Sequence, residues 1–161
     1  MRPAWFSTLD KVLISEMHRW GIPLLRIALG GVFVWFGALK LFGVSPVKEL
    51  VQTTYSFLPE PALLTVLGIW EVLVGIGLIF KLALRFTLAL LWLQMAGTFA
   101  AALLQPSIFF RGANVFLLTT EGEFIIKNFV LVASGIVIGG FEVRPRRLAD
   151  EQQIGTLGPE Q

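Results

Sequence analysis

The sequence predicts an all-α polytopic membrane protein: a four-transmembrane-helix bundle with an N-terminal amphipathic interfacial helix. Three observations predict it. Of 161 residues, 55% are hydrophobic and only 15% charged, with a mean hydropathy of +0.76; a soluble domain shows roughly 45 to 50% and about 25%, so the excess has to be hidden in lipid. Four apolar runs, Ile22 to Phe42, Pro61 to Phe80, Phe86 to Leu104 and Phe124 to Phe141, are 21, 20, 19 and 18 residues long, close to the roughly 20 a helix needs to cross about 30 Å of hydrocarbon. The five residues between the second and third runs force those helices into an antiparallel hairpin. Disorder, a soluble globular domain and a fibrous protein are excluded. With no Cys and one His, structural disulfides, thiol relays, Cys-rich metal centres and paired-His haem ligation are excluded too.

The chain divides into an amphipathic segment 1–20, a membrane domain 21–142 with spans 22–42, 61–80, 86–104 and 124–141, and a polar tail 143–161. In the first segment Trp5, Phe6, Leu9, Val12, Leu13, Met17 and Trp20 recur at helical spacing after Ser7, an N-cap candidate, as expected of a helix lying on the inner membrane surface. The run that follows is too long, and lacks the cleavage site, for a secretory signal peptide. A short helix is expected from Pro46 to Phe57. The link from Gln105 to Glu123 is apolar through Ile108, Phe109, Phe110 and Val115 to Leu118, so it should fold back onto the mouth of the bundle. Thr120 followed by Glu123 reads as the capped start of the fourth helix.

Lys and Arg set the orientation. Arg2, Lys11, Arg19, Lys81, Arg85, Arg144, Arg146 and Arg147 flank one side and only Lys48 and Arg111 the other, which places both termini in the cytoplasm; the expected location is the cytoplasmic membrane of a prokaryote. Gly30, Gly37, Gly68 and Gly75 recur at seven-residue spacing, and Gly135 and Gly139 form a GxxxG; such faces suit close helix contact, within the chain or with another copy or a second redox subunit. No nucleic-acid partner is expected.

Ionisable groups inside spans are functional candidates because charge in hydrocarbon costs about 2.5 to 3.5 kcal/mol even on insertion scales. Arg26, Lys40 and Lys127, with Asn128 beside it, lie near span ends and can snorkel. Glu71 cannot: it is roughly 15 Å from either surface and must face the interior, protonated, paired or in contact with internal water. Gln94 reaches a comparable depth, and Arg26 is close enough along the normal to pair with Glu71. Arg26, Gly30, Gly37 and Lys40 share one helical face. The expectation is one polar seam, cationic at both ends and acidic in the middle.

Arg26-x3-Gly30, Gly37-x2-Lys40, Glu71-x3-Gly75 and Lys127-Asn128 resemble the DoxX family of small four-helix membrane proteins, over about Ile22 to Phe141. The resemblance implies redox work at the membrane, as a subunit of thiosulfate:quinone oxidoreductase or of complexes tied to sulfur and oxidative-stress metabolism, with quinone as substrate or bound cofactor; from the Cys and His counts no metal or haem is expected. Arg26, Lys40, Glu71 and Lys127 are the positions that match. Quinone reduction needs apolar walls, carbonyl donors and protons. Trp70, Phe33, Phe36, Trp92 and Phe99 offer walls, and Glu71 with Arg26 the acid–base chemistry. Lys40, Lys127, Asn128 and Gln94 offer contacts to substrate, the first three to a small dianion at the outer mouth. The resulting expectation is electron transfer from a thiosulfate-like anion to quinone; the alternatives are a non-catalytic subunit or assembly protein that docks a partner, and a small-anion or proton pathway.

Overall fold

The computed structural model describes residues 4–45, 60–114 and 116–143. Four helices in it are long and apolar enough to cross a membrane: α1 (Ala4–Leu41), α2 (Glu60–Phe80), α3 (Leu84–Leu104) and, after the short α4 (Pro106–Phe109) and a 3-10 turn at Arg111–Ala113, α5 (Thr120–Glu142). No strand occurs among the described residues beyond one isolated bridge, Phe110 to Leu118. The protein is an all-α polytopic membrane protein. The expected helix from Pro46 to Phe57 and nearly all of the tail lie outside the described residues.

The four spans match the apolar runs, with two corrections at their starts. The N-terminal segment is helical and continuous with the first span. α1 runs unbroken for 38 residues through Pro23, where only the one backbone bond to the Arg19 carbonyl is lost; Ser7 therefore lies inside the helix and not at its start. The cap of α5 is Thr119, one residue earlier than expected, with its hydroxyl accepting from Gly122 N at 3.1 Å. That same hydroxyl donates to the Ile108 carbonyl at 2.6 Å, so Thr119 ties the preceding loop to the helix, a task Thr120 is not placed to do.

α1 and α2 form the tightest seam. Gly30 lies against the Gly75 carbonyl and Gly37 against the Gly68 carbonyl, so close that a Cβ at any of the four would press within 2.6–2.9 Å of opposing backbone. These glycines are spent inside the chain. Gly135 and Gly139 likewise face Trp92 and Leu88 of α3. α2 ends in a Schellman turn, Leu82 N to Gly77 O at 2.9 Å and Lys81 N to Leu78 O at 3.4 Å. Lys81 occupies the left-handed position usual for glycine, at φ 57°.

All four spans contribute to one apolar core: Leu29 and Phe33 from α1, Val74 and Leu78 from α2, Leu88, Leu91 and Met95 from α3, and Ile138 from α5. The Gln105 to Glu123 link does fold back. Phe109 of α4, only 1% exposed, packs with Ala101 and Ile125, and Gly122 leaves room for the Phe109 carbonyl. Phe109 is a stopper in the end of the bundle to which Lys40 also belongs.

Candidate functional site

The register of the glycine seam sets the positions of the charged groups. With Gly30 level with Gly75 and Gly37 with Gly68, Arg26 is level with Ile79, while Lys40 stands six residues, about 9 Å, beyond Glu71. Helical side chains lean toward the N-terminus of their own helix. In antiparallel neighbours the lean is mutual, so Lys40 reaches down and Glu71 up until they meet. Lys40 Nζ donates to Glu71 Oε1 at 2.8 Å and to Oε2 at 2.6 Å. Gln94 Nε2, from α3, donates to Oε1 at 2.6 Å.

Lys40 and Glu71 are both buried. The cluster joins three helices and is neutral as a whole, and in this form a carboxylate and an ammonium are tolerable in an apolar interior. Two features leave it chemically open. The Gln94 Oε1 atom is buried without a hydrogen-bond partner, and a three-proton ammonium that makes two bonds retains one.

Arg26 is elsewhere. Its guanidinium donates to the Leu78 carbonyl and, at 2.6 Å, to that of Ile79, both in the last turn of α2, where carbonyls lack the full set of intrahelical donors. It also forms an ion pair with Glu142 at 2.9 Å, and Lys81 reaches the other oxygen of that carboxylate at 2.9 Å. The expected Arg26–Glu71 approach does not occur because Arg26 finds acceptors at its own level and Glu71 a cation at the other end. Instead of one seam there are two clusters about 21 Å apart along α1, the fourteen residues from Arg26 to Lys40.

Sequence reasoning missed Glu142, the last residue of the membrane domain, just beyond the fourth apolar run. A signal was present: a carboxylate in the last turn opposes the helix dipole and calls for cations. Replacing Arg26 by Met should cost about 3 kcal/mol, since the Glu142 side chain, only 9% exposed, then keeps one partner. Lys81→Met should cost about 0.5 kcal/mol, because that side chain is 52% exposed. Reversible unfolding in mixed micelles measures both, and equal costs would contradict this account of the cluster.

Lys127 is not in the interior. Its side chain is 69% exposed, paired with Glu123 at 3.3 Å and set over the Phe124 ring at 5.7 Å; Asn128 beside it is half-buried. The five aromatic candidates divide. Phe33 belongs to the core. Trp70 is half-buried and donates its indole N–H to the Leu90 carbonyl at 3.2 Å, holding α2 to α3. Phe99 stacks on Phe129 with centroids 4.7 Å apart. Phe36 and Trp92 are partly exposed on the outside of α1 and α3, Trp92 lying against Gly135 of α5.

No curated protein and no solved structure matches the chain. A family model, described as DoxX, matches residues 21–104, a stretch that contains Arg26, Lys40, Glu71 and Gln94 but stops short of Lys127 and Asn128. With more than half of its length matched, the chain belongs to the DoxX family.

Proposed function

We propose that this chain is a membrane oxidoreductase subunit that passes electrons from a small external reductant, a thiosulfate-like sulfur anion, to membrane quinone, with the Lys40–Glu71–Gln94 cluster at the quinone end. The observation that carries this reading is the convergence of an ammonium, a carboxylate and an amide in one hydrogen-bonded set within the apolar bundle. The remaining Lys40 N–H suits a quinone carbonyl, and the unpartnered Gln94 Oε1 suits the hydroxyl of the quinol. Oxidation of two thiosulfate ions joins them through a new S–S bond and releases two electrons. The quinone takes up those electrons and two protons, and the ion pair is the internal group that relays protons to it. Membership of the DoxX family supports the redox assignment. The protein is placed in a prokaryotic cytoplasmic membrane, and the asymmetry of Lys and Arg supports both termini in the cytoplasm. Because the glycine faces named above are occupied within the chain, they do not favour partner docking.

The test is quinone reduction by purified protein given thiosulfate and decylubiquinone. Glu71→Gln, which keeps shape and removes the charge, should lower the rate by about 100-fold or more, with folding checked by circular dichroism. A wild-type rate no higher than that of the variant ends the proposal.

A further inference from the structure

α1 is far longer than the bilayer it crosses. Its 38 residues extend about 57 Å, yet the bundle ends at the level of Arg26, where the Leu78 and Ile79 carbonyls and Glu142 lie. Residues 9 to 21 beyond that level are all exposed, and Leu9, Val12, Leu13, Met17 and Trp20 are each more than half exposed. Such an apolar face in water calls for a cover.

The identity of the cover follows from continuity. Leu13, Met17, Trp20, Leu24 and Ile27, three or four residues apart, form one stripe. Its lower members, Leu24 and Ile27, are exposed on the span itself, the surface a membrane helix turns to lipid. If the helix folds over toward that side, the upper part of the stripe is laid onto the same bilayer.

The place for such a fold is built in. Pro23 has no N–H to give the Arg19 carbonyl, Gly21 has nothing within 4 Å of its Cβ position, and both sit just beyond the end of the bundle. Arg19 lies over the Trp20 ring at 5.5 Å, an amphipathic pair suited to headgroup level. A second copy fits less well. A parallel two-fold seam along this stripe, continued by one step, brings Asp10 against its own equivalent.

We propose that the Ala4–Trp20 part of α1 folds over at Gly21–Pro23 and lies in the headgroup layer of the bilayer, with Leu13, Met17 and Trp20 immersed in lipid. Asp10 and Glu16 cancel Lys11 and Arg19, so this contact depends on apolar area and little on anionic lipid.

The chain has no Cys, so nitroxide labels can be placed singly in the full-length protein reconstituted in phosphatidylcholine vesicles, with and without phosphatidylglycerol. Labels at positions 13 and 17 should collide readily with oxygen and poorly with a water-soluble nickel chelate, at a depth of about 5 to 10 Å. Labels at positions 15 and 18 should show the reverse. The contrast should persist without phosphatidylglycerol and weaken in Pro23→Ala, which restores the missing donor. Equal chelate access at all four positions means that the segment stands in water and overturns the proposal. Spin–spin broadening at 13 and 17 that vanishes on dilution with unlabelled protein assigns the face to a second copy and overturns it equally. Contrast undiminished in Pro23→Ala refutes the hinge.

Discussion

Glu71→Leu is expected to destabilise the protein by about 3 to 5 kcal/mol, a large part of the stability of a domain of this size. The loss comes less from the carboxylate than from what it leaves behind: a buried Lys40 with no counter-ion and a Gln94 amide with no acceptor. Lys40→Met should cost a similar amount for the mirror reason. The double variant Lys40→Met/Glu71→Leu should recover most of the loss, because both charges leave together and apolar side chains take their place. Reversible unfolding in mixed detergent micelles, followed by circular dichroism, gives the three numbers of the cycle. Costs that simply add would mean that the two groups are not a pair. The double variant also separates stability from chemistry, since it should be well folded and inactive in quinone reduction.

Gly75→Leu is expected to prevent α1 and α2 from closing. A Cβ at residue 75 already falls 2.6 Å from the Gly30 carbonyl oxygen and 2.7 Å from the Val34 nitrogen, backbone atoms that cannot rotate aside. Gly75→Ala should therefore cost at least the 1 to 3 kcal/mol typical of overpacking, and the leucine should yield protein that aggregates on size exclusion. The control is Gly140→Ala on α5, where nothing lies within 4 Å and the change should stay within about 0.5 kcal/mol. A Gly75→Ala variant as stable as wild type would mean that α1 and α2 meet less closely than described.

Much of this was legible in the sequence, for physical reasons that differ by element. The spans were readable because twenty apolar residues in a row have one stable home, and the apolar link after α3 because Phe109 and its neighbours had to be covered. The depth of Glu71 was readable from counting residues, and so was the need for a partner. Which cation would pair with it was not. Arg26 and Lys40 share a face and lie at comparable distances from Glu71, and the choice depends on the direction in which helical side chains lean and on the carbonyls of Leu78 and Ile79 that hold Arg26. Position along the axis alone favoured the wrong one. Glu142 was overlooked because it stands where the composition turns polar, although its partners Arg26 and Lys81 come from elements far away in sequence. The unbroken course of α1 was missed because the amphipathic pattern of the first twenty residues differs from the uniformly apolar run after it and says nothing about whether one helix carries both.

The glycine seam has a mechanical consequence. Arg26 grips carbonyls at one end of it and Lys40 a carboxylate toward the other, so that the two contacts act as a pair of latches fourteen residues apart on the same rod. Sliding α1 along α2 by a single turn would release both at once and collide glycine backbone with larger neighbours. These two helices therefore travel as one piece, and any breathing that admits a guest to the interior falls to α3, α5 and the small stopper between them.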